Sequence, residues 1–236
     1  MSSLFSMRVF TNTQRGLQVE NALLDGEFVP LRTDLPTLGI HPNFATRNEH
    51  VPEIERQHRV IKERARACRH YLPFKVLPRL MLVEMVKNCA LWLNMFPPKG
   101  GIGSVSPRTL ITRIKLDYKK HCQLPFGFYV QVHEEPTPTN SPAARTIGAI
   151  TLGPTGNLKG GYKTLNLQTG KRITRRNWTH LPMPTEVIKQ VNQLGKEQNQ
   201  PTLLTFQDRH GHSTMDTDPY FQPVDINIEG VISDPD

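Results

Sequence analysis

No run of apolar residues in this chain reaches the ~20 that a membrane-spanning helix needs. The longest candidate, Leu80 to Phe96, is broken by Glu84, Lys87, Asn88 and Asn94, so no membrane partner is expected. Cysteine is scarce. Cys68, Cys89 and Cys122 are odd in number and widely spaced, which argues against a disulfide framework and a zinc knuckle and for reduced thiols in an intracellular protein. Residues 1–10 carry one arginine and too short an apolar stretch for a secretory signal. Hydrophobic residues make up 37% and aromatics 7% of the 236 residues, both low for one compact domain. The length still permits one large or two small domains with a real core. Proline, by contrast, is abundant: its 20 copies predict long irregular stretches.

Charge is plentiful and unevenly placed. The net +8 conceals an acidic end, because residues 185–236 hold three basic and nine acidic side chains. Residues 1–184 hold 26 basic against 12 acidic, a net of +14. A body this cationic is the electrostatic footprint of a polyanion, and the acidic end reads as a solvated linker.

Along the chain, residues 1–15 suit the end of an amphipathic helix closed by Gly16, and Leu17 to Leu24 suits a strand. Pro30, Pro36, Gly39 and Pro42 mark an irregular connection. Helical periodicity predicts a helix from Pro52 to Tyr71, ended by Pro73, and a more apolar one from Pro78 to Phe96. Beyond Ser106-Pro107 the pattern alternates. Phe128 to His133, Ile147 to Leu152, Tyr162 to Leu167 and Lys171 to Trp178 read as strands of a small antiparallel module. Glu186 to Asn199 reads as a helix, and the polar, acidic remainder is expected to be disordered.

One pairing points to chemistry. Asp25 closes an apolar strand in Leu23-Leu24-Asp25-Gly26-Glu27-Phe28, and thirty residues on Glu55 opens a basic helix, Glu53-Ile54-Glu55-Arg56-Gln57-His58-Arg59. A strand-end carboxylate and a helix carboxylate are how nuclease-type sites hold a divalent metal beside a phosphate backbone. Such sites need a further carboxylate from an earlier strand. At ~100° per residue, Arg59, Lys62, Arg66 and Arg69 fall within about 40° of Glu55. Ile54, Ile61, Ala65 and Cys68 form a neighbouring stripe expected to face the core. The row of cations makes a track for phosphates; a solvated charged face is the alternative. Lys171, Arg172, Arg175 and Arg176 form a second cationic group on a hairpin with Trp178, suited to a nucleic-acid backbone and one stacked base. An ordinary exposed strand with Trp178 packed inward accounts for it equally.

These motifs resemble the integrase region of copia-type retrotransposon polyproteins. Asp25-Gly26-Glu27-Phe28 is similar to the segment bearing the family's second metal-binding Asp. Glu55-Arg56-Gln57-His58-Arg59, continuing through Lys62-Glu63-Arg64-Ala65-Arg66-Ala67, is similar to the helix bearing its catalytic Glu. Trp92-Leu93-Asn94, Ser106-Pro107 and the run Gly161-Tyr162-Lys163 to Arg175-Arg176-Asn177 extend the likeness over residues 1–184. The resemblance implies an α/β, incomplete ribonuclease-H-like core over 1–120 and a small Src-homology-3-like antiparallel β-barrel over 121–184. A helix and acidic linker then occupy 185–236. It also implies Mg²⁺ or Mn²⁺ held by Asp25 and Glu55 as catalytic ligands, with Glu53 the competing assignment for Glu55. DNA or RNA is the implied partner, along with a second copy or the N-terminal part of the polyprotein, in the nucleus. The family's first Asp and its His/Cys zinc segment, both upstream of the core, have no counterpart in this sequence.

Other motifs carry less. Asp208, His210 and His212 lack a second ligand cluster, and His121, Cys122 and His133 lack metal-ligand spacing. Ser106 fits a turn or helix cap, since no Gly-x-Ser-x-Gly elbow surrounds it. Gly156 to Gly161 lacks the Gly-Lys-Ser/Thr ending of a phosphate loop and fits a hairpin. With one metal carboxylate missing, the chain alone should show neither nuclease nor strand-transfer activity. Mg²⁺-dependent cleavage that disappears in Glu55→Gln would overturn that expectation.

Overall fold

The computed structural model describes residues 13–14, 16–24, 26–45, 52–99, 104–133, 144–202 and 204–206, and within them two sheets lie either side of two long helices in sequence. Strand β1 (Asn21–Leu24) pairs in parallel with β2 (His41–Phe44), Leu24 opposite Phe44. A 3-10 segment (Gly26–Leu31) and the single turn α1 (Asp34–Thr37) connect them. Their core is small: Leu24, Leu31, Leu35 and Ile40, flanked by Val19, Ala22, Phe28 and Phe44. The expected strand therefore covers only the last four residues of Leu17–Leu24, and the helix expected over 1–15 lies almost wholly outside the described residues.

Helix α2 (Pro52–Tyr71) has the predicted bounds. Proline at its first position lacks only an N–H that would go unpaired there, and Pro73 stops the chain from continuing. It is a charged helix with a thin apolar stripe. Ala65 is fully buried, Ile61 and Cys68 are half-buried, and Ile54, expected on the same face, is exposed. Helix α3 (Arg79–Met95) is the apolar partner, burying Met81, Met85, Cys89 and Met95 along one side. Pro97 and Pro98 follow it. Two short turns, α4 (Pro107–Thr112) and α5 (Tyr118–His121), lead to the second sheet. Ser106 caps α4 by accepting from the Thr109 amide at 3.2 Å.

That sheet is antiparallel, in the order β6 (Arg172–Arg175), β5 (Tyr162–Asn166), β4 (Thr146–Pro154), β3 (Tyr129–His133), β7 (Trp178–His180). The single strand expected over Lys171–Trp178 is two strands, broken at Arg176-Asn177 so that β7 can cross to β3. The break curls the sheet: Arg175 Nε donates to the His133 carbonyl at 3.1 Å, and the His133 amide donates to Asn177 O at 3.2 Å. Inside the curl lie Leu124, Val130, Val132, Ile147, Ala149 and Tyr162, with Ile173 and Trp178 packed against them. The buried Tyr162 hydroxyl accepts from the Gln123 and Leu124 amides at 2.9 and 3.3 Å. The ladder shifts register between Thr151 and Gly153. Gly153 sits there at φ +99°, and an added Cβ would lie 2.3 Å from Asn88 Oδ1 on α3.

Helix α6 (Thr185–Glu197) is docked. Val187, Val191 and Gly195 form its buried stripe. Asn192 Oδ1 accepts from the Lys75 and Val76 amides at 2.7 and 2.9 Å, and Gln198 Oε1 accepts from the Arg79 amide at 2.8 Å, capping α3. Gln190 donates to Leu167 O in the sheet region at 2.9 Å. The described residues up to Thr202 belong to one compact unit. A second unit spans 203–236, of which residues 204–206 are described, so the expected disorder of the acidic end lies outside the described residues.

Gly195 sets the distance between α6 and the α2–α3 connection: an added Cβ would stand 2.7 Å from Val76 Cγ1 and 3.0 Å from Val76 O. Alanine favours a helix by about 1 kcal/mol over glycine, but this overlap with backbone costs more. Gly195→Ala should lower stability by about 1–2 kcal/mol in a urea titration; an unchanged or raised midpoint would mean α6 is not held at that distance.

Candidate nucleic-acid interface

The two carboxylates expected to hold metal stand in unequal view. Asp25 follows β1 directly in sequence and lies outside the described residues. Glu55 is exposed near the start of α2, and the side chain of Glu53 is not among those described. Among the described residues no three His, Cys, Asp or Glu side chains converge as a metal site. Asp208, His210 and His212 also lie outside them.

The cationic row on α2 divides. Arg59 is exposed and Lys62 and Arg66 are half-buried, and all three engage other groups. Arg69 is committed to the fold. Its guanidinium donates to the carbonyls of Phe74, Lys75 and Thr202 at 2.6, 2.5 and 3.0 Å, closing the loop between α2 and α3. Burial pulls its pKa below the ordinary guanidinium value. A side chain holding three backbone carbonyls is not spare for phosphate, so Arg69 belongs to the structure rather than to the track.

The hairpin cations divide in the same way. Lys171 and Arg176 are exposed, the first in the β5–β6 turn and the second just after β6. Arg175 spends Nε on His133 O and Nη1 on Thr174 O. Arg172 turns toward the helices and pairs with Glu84 on α3, Nη1 to Oε1 at 2.8 Å. Trp178 packs inward on Tyr162, ring centroids 4.9 Å apart, and is no stacking platform.

Glu84 is the charged group that reading the sequence missed. It stands between Met81 and Met85 on the buried stripe of α3 and is 1% exposed. Lys163 on β5 meets its Oε2 at 3.0 Å, while Arg172 on β6 and Lys87 meet Oε1 at 2.8 and 3.6 Å. Burial pushes the carboxyl pKa up. The hydrogen bond and charge of Lys163, helped by Arg172 and Lys87, outweigh this and hold it below the ordinary carboxylate value. The cluster fastens α3 to β5 and β6 of the sheet.

His121 is structural too: buried, its ring nitrogens lie 2.9 Å from Asp117 O and 2.8 Å from Asn157 O. The Gly156–Gly161 segment is the β4–β5 hairpin loop, held by Arg108 donating to Gly156 O and by Thr155 donating to Gly161 O. A further feature is an apolar recess of about 320 Å³ lined by Tyr71, Phe126, Phe128, Tyr129, His180 and Leu181. Tyr71 is 69% exposed, and the Phe128 and His180 rings lie 5.3 Å apart. No helix among the described residues is long and apolar enough to cross a membrane. A scan against models of known protein families gives no match, and a search of curated proteins returns none.

Glu84→Gln should cost about 2 kcal/mol, less than a fully buried ion pair, because Lys163 and Arg172 keep access to water. The carboxyl's depressed pKa stabilises the fold fully above the unfolded value of ~4.3, and this is lost as pH falls through the folded value. The stability gap between wild type and Glu84→Gln should therefore stay constant above pH ~5 and close below pH ~4. A gap that widens on acidification would refute the assignment.

Proposed function

We propose that the chain is the nucleic-acid-binding part of an integrase from a copia-type retrotransposon polyprotein. It spans the later part of a ribonuclease-H-like core and the small β-barrel after it. The observation that carries this reading is the order of elements. Asp25 directly follows a strand in a parallel pair, and Glu55 stands one turn into the helix after the second strand. The curled five-stranded antiparallel sheet, in the position the resemblance assigns to a barrel, supports it.

Asp25 and Glu55 are the residues that would hold Mg²⁺ or Mn²⁺, which in such enzymes activates water or a 3′-hydroxyl and stabilises the leaving oxygen. Two carboxylates can anchor one Mg²⁺, its other positions filled by water and phosphate. They do not supply ligands for two, so catalysis calls for a further carboxylate, from another copy or the N-terminal part of the polyprotein. What this chain's own residues do is bind. The α2 cations Arg59, Lys62 and Arg66 and the exposed Lys171 and Arg176 meet phosphates on DNA or RNA without reading bases, and nuclear residence follows from the resemblance alone.

The aromatic recess at Tyr71, Phe128 and His180 favours a second reading, a non-catalytic nucleic-acid or protein interaction module derived from the same kind of element. Integrase binding should tighten with Mg²⁺; the module should be indifferent to it. For either, duplex binding should weaken with salt. Joint reversal of Lys171 and Arg176 to glutamate should cut affinity about tenfold at low salt and reduce the log–log salt slope by roughly 2. An unchanged slope, measured by fluorescence anisotropy, would remove the hairpin from the interface.

A further inference from the structure

Aromatic rings that the core leaves in water run together along one face. Tyr71, the last residue of α2, is 69% exposed; Tyr118, the first of α5, is 63% exposed; and Phe96, just after α3, is 42% exposed. Other rings join them. Trp92 stacks on Phe96 with centroids 6.0 Å apart, and Phe96 meets Tyr118 at 6.4 Å. Trp92 and Tyr71 line one recess of about 370 Å³, together with Leu124 and Phe126. Tyr71 and Phe126 also border the recess lined by Phe128 and His180, so the two recesses meet at Tyr71. The segments that build this face, residues 66–75, 88–99, 113–128 and 178–183, contain one acidic residue, Asp117, and Lys120 pairs with it at 3.2 Å. Lys99, Lys115 and Lys119 are exposed and lie close in sequence to Phe96 and Tyr118.

A contiguous exposed apolar face marks a binding site. Ring faces with cations at their margin suit a polyanion that carries flat rings of its own. A proline-rich peptide or a second copy of the chain would cover the rings but leave the lysines without a counter-charge. We propose that this face binds single-stranded DNA or RNA, with unpaired bases stacked on Tyr71, Trp92 and Tyr118 and the phosphates passing Lys99, Lys115 and Lys119. This rests on the chain's being a nucleic-acid binder and adds a preference for unpaired strands. A duplex keeps its base faces inside its own stack, so it meets the cations of α2 and the hairpin but not these rings. Stacking is indifferent to sequence, because every base has a ring face.

The test measures fluorescence anisotropy at low salt with the full chain and three labelled probes of equal length: an oligo-dT strand, the same backbone without bases, and a duplex. The wild type should bind oligo-dT about tenfold more tightly than the abasic strand. Tyr71→Ala combined with Tyr118→Ala, both at exposed positions, should remove most of that difference and leave duplex affinity unchanged. If that variant fails to fold, the abasic comparison on the wild type still decides. Equal wild-type affinity for oligo-dT and the abasic strand would overturn the proposal, as would unchanged oligo-dT affinity in the folded double variant. Duplex binding survives both of those results, whereas failure to bind any of the three probes would sink the nucleic-acid reading and this site with it. A wild-type dimer in sedimentation that the double variant abolishes, with oligo-dT affinity unchanged, would assign the face to a second copy instead.

Discussion

The way α3 meets the second sheet turns on one buried carboxylate. Glu84 occupies a core position on an otherwise apolar helix and stays charged there because Lys163 and Arg172 reach it from two adjacent strands. Desolvating a lone carboxylate costs several kcal/mol, so the helix and the sheet must meet in the one arrangement that supplies both cations. The constraint is geometric more than energetic. Apolar packing alone would let α3 slide on the sheet, whereas a two-cation clamp sets its position. Of the cations of the β5–β6 hairpin it engages Arg172, whose side chain stays half exposed while it pairs with Glu84.

A second clasp, polar and made mostly with backbone, holds the loop between α2 and α3 and the first residue of α3. Asn192 accepts the Lys75 and Val76 amides of the loop before α3, Gln198 accepts the Arg79 amide at the helix start, and Arg69 donates to the carbonyls of Phe74, Lys75 and Thr202. These bonds satisfy groups that a short, proline-bounded connection would leave unpaired. They make α6 part of the body rather than a linker. The surface left for a partner is smaller than net charge suggests, and it centres on the exposed side of α2 and the tip of the hairpin.

Local signals carried much of the fold. Pro52 and Pro73 bracket α2, prolines bracket α3, and alternation with Gln168-Thr169-Gly170 places β5 and β6. What failed was anything settled by distant partners. Lys163 and Arg172 meet Glu84 across 79 and 88 residues, and the sequence shows Glu84 only as an interruption in an apolar run. Arg69 has the helical phase of Arg59 and Lys62, but its reach to carbonyls at 74, 75 and 202 follows from the turn at Pro73 and the docking of α6. The break at Arg176-Asn177 was hidden because β7 exists only as a partner of β3. Of the candidate site, the spacing of Asp25 and Glu55 was legible, whereas which cations remain for a ligand was not.

The central claim is that a polyanion lies across α2 and the hairpin tip. Hydrogen–deuterium exchange of the whole chain at low salt, with and without saturating DNA duplex, tests it most directly. The account predicts slowed exchange in residues 54–66 and 167–176, reversed by added salt. Protection confined to other segments, or none at saturation, would contradict it.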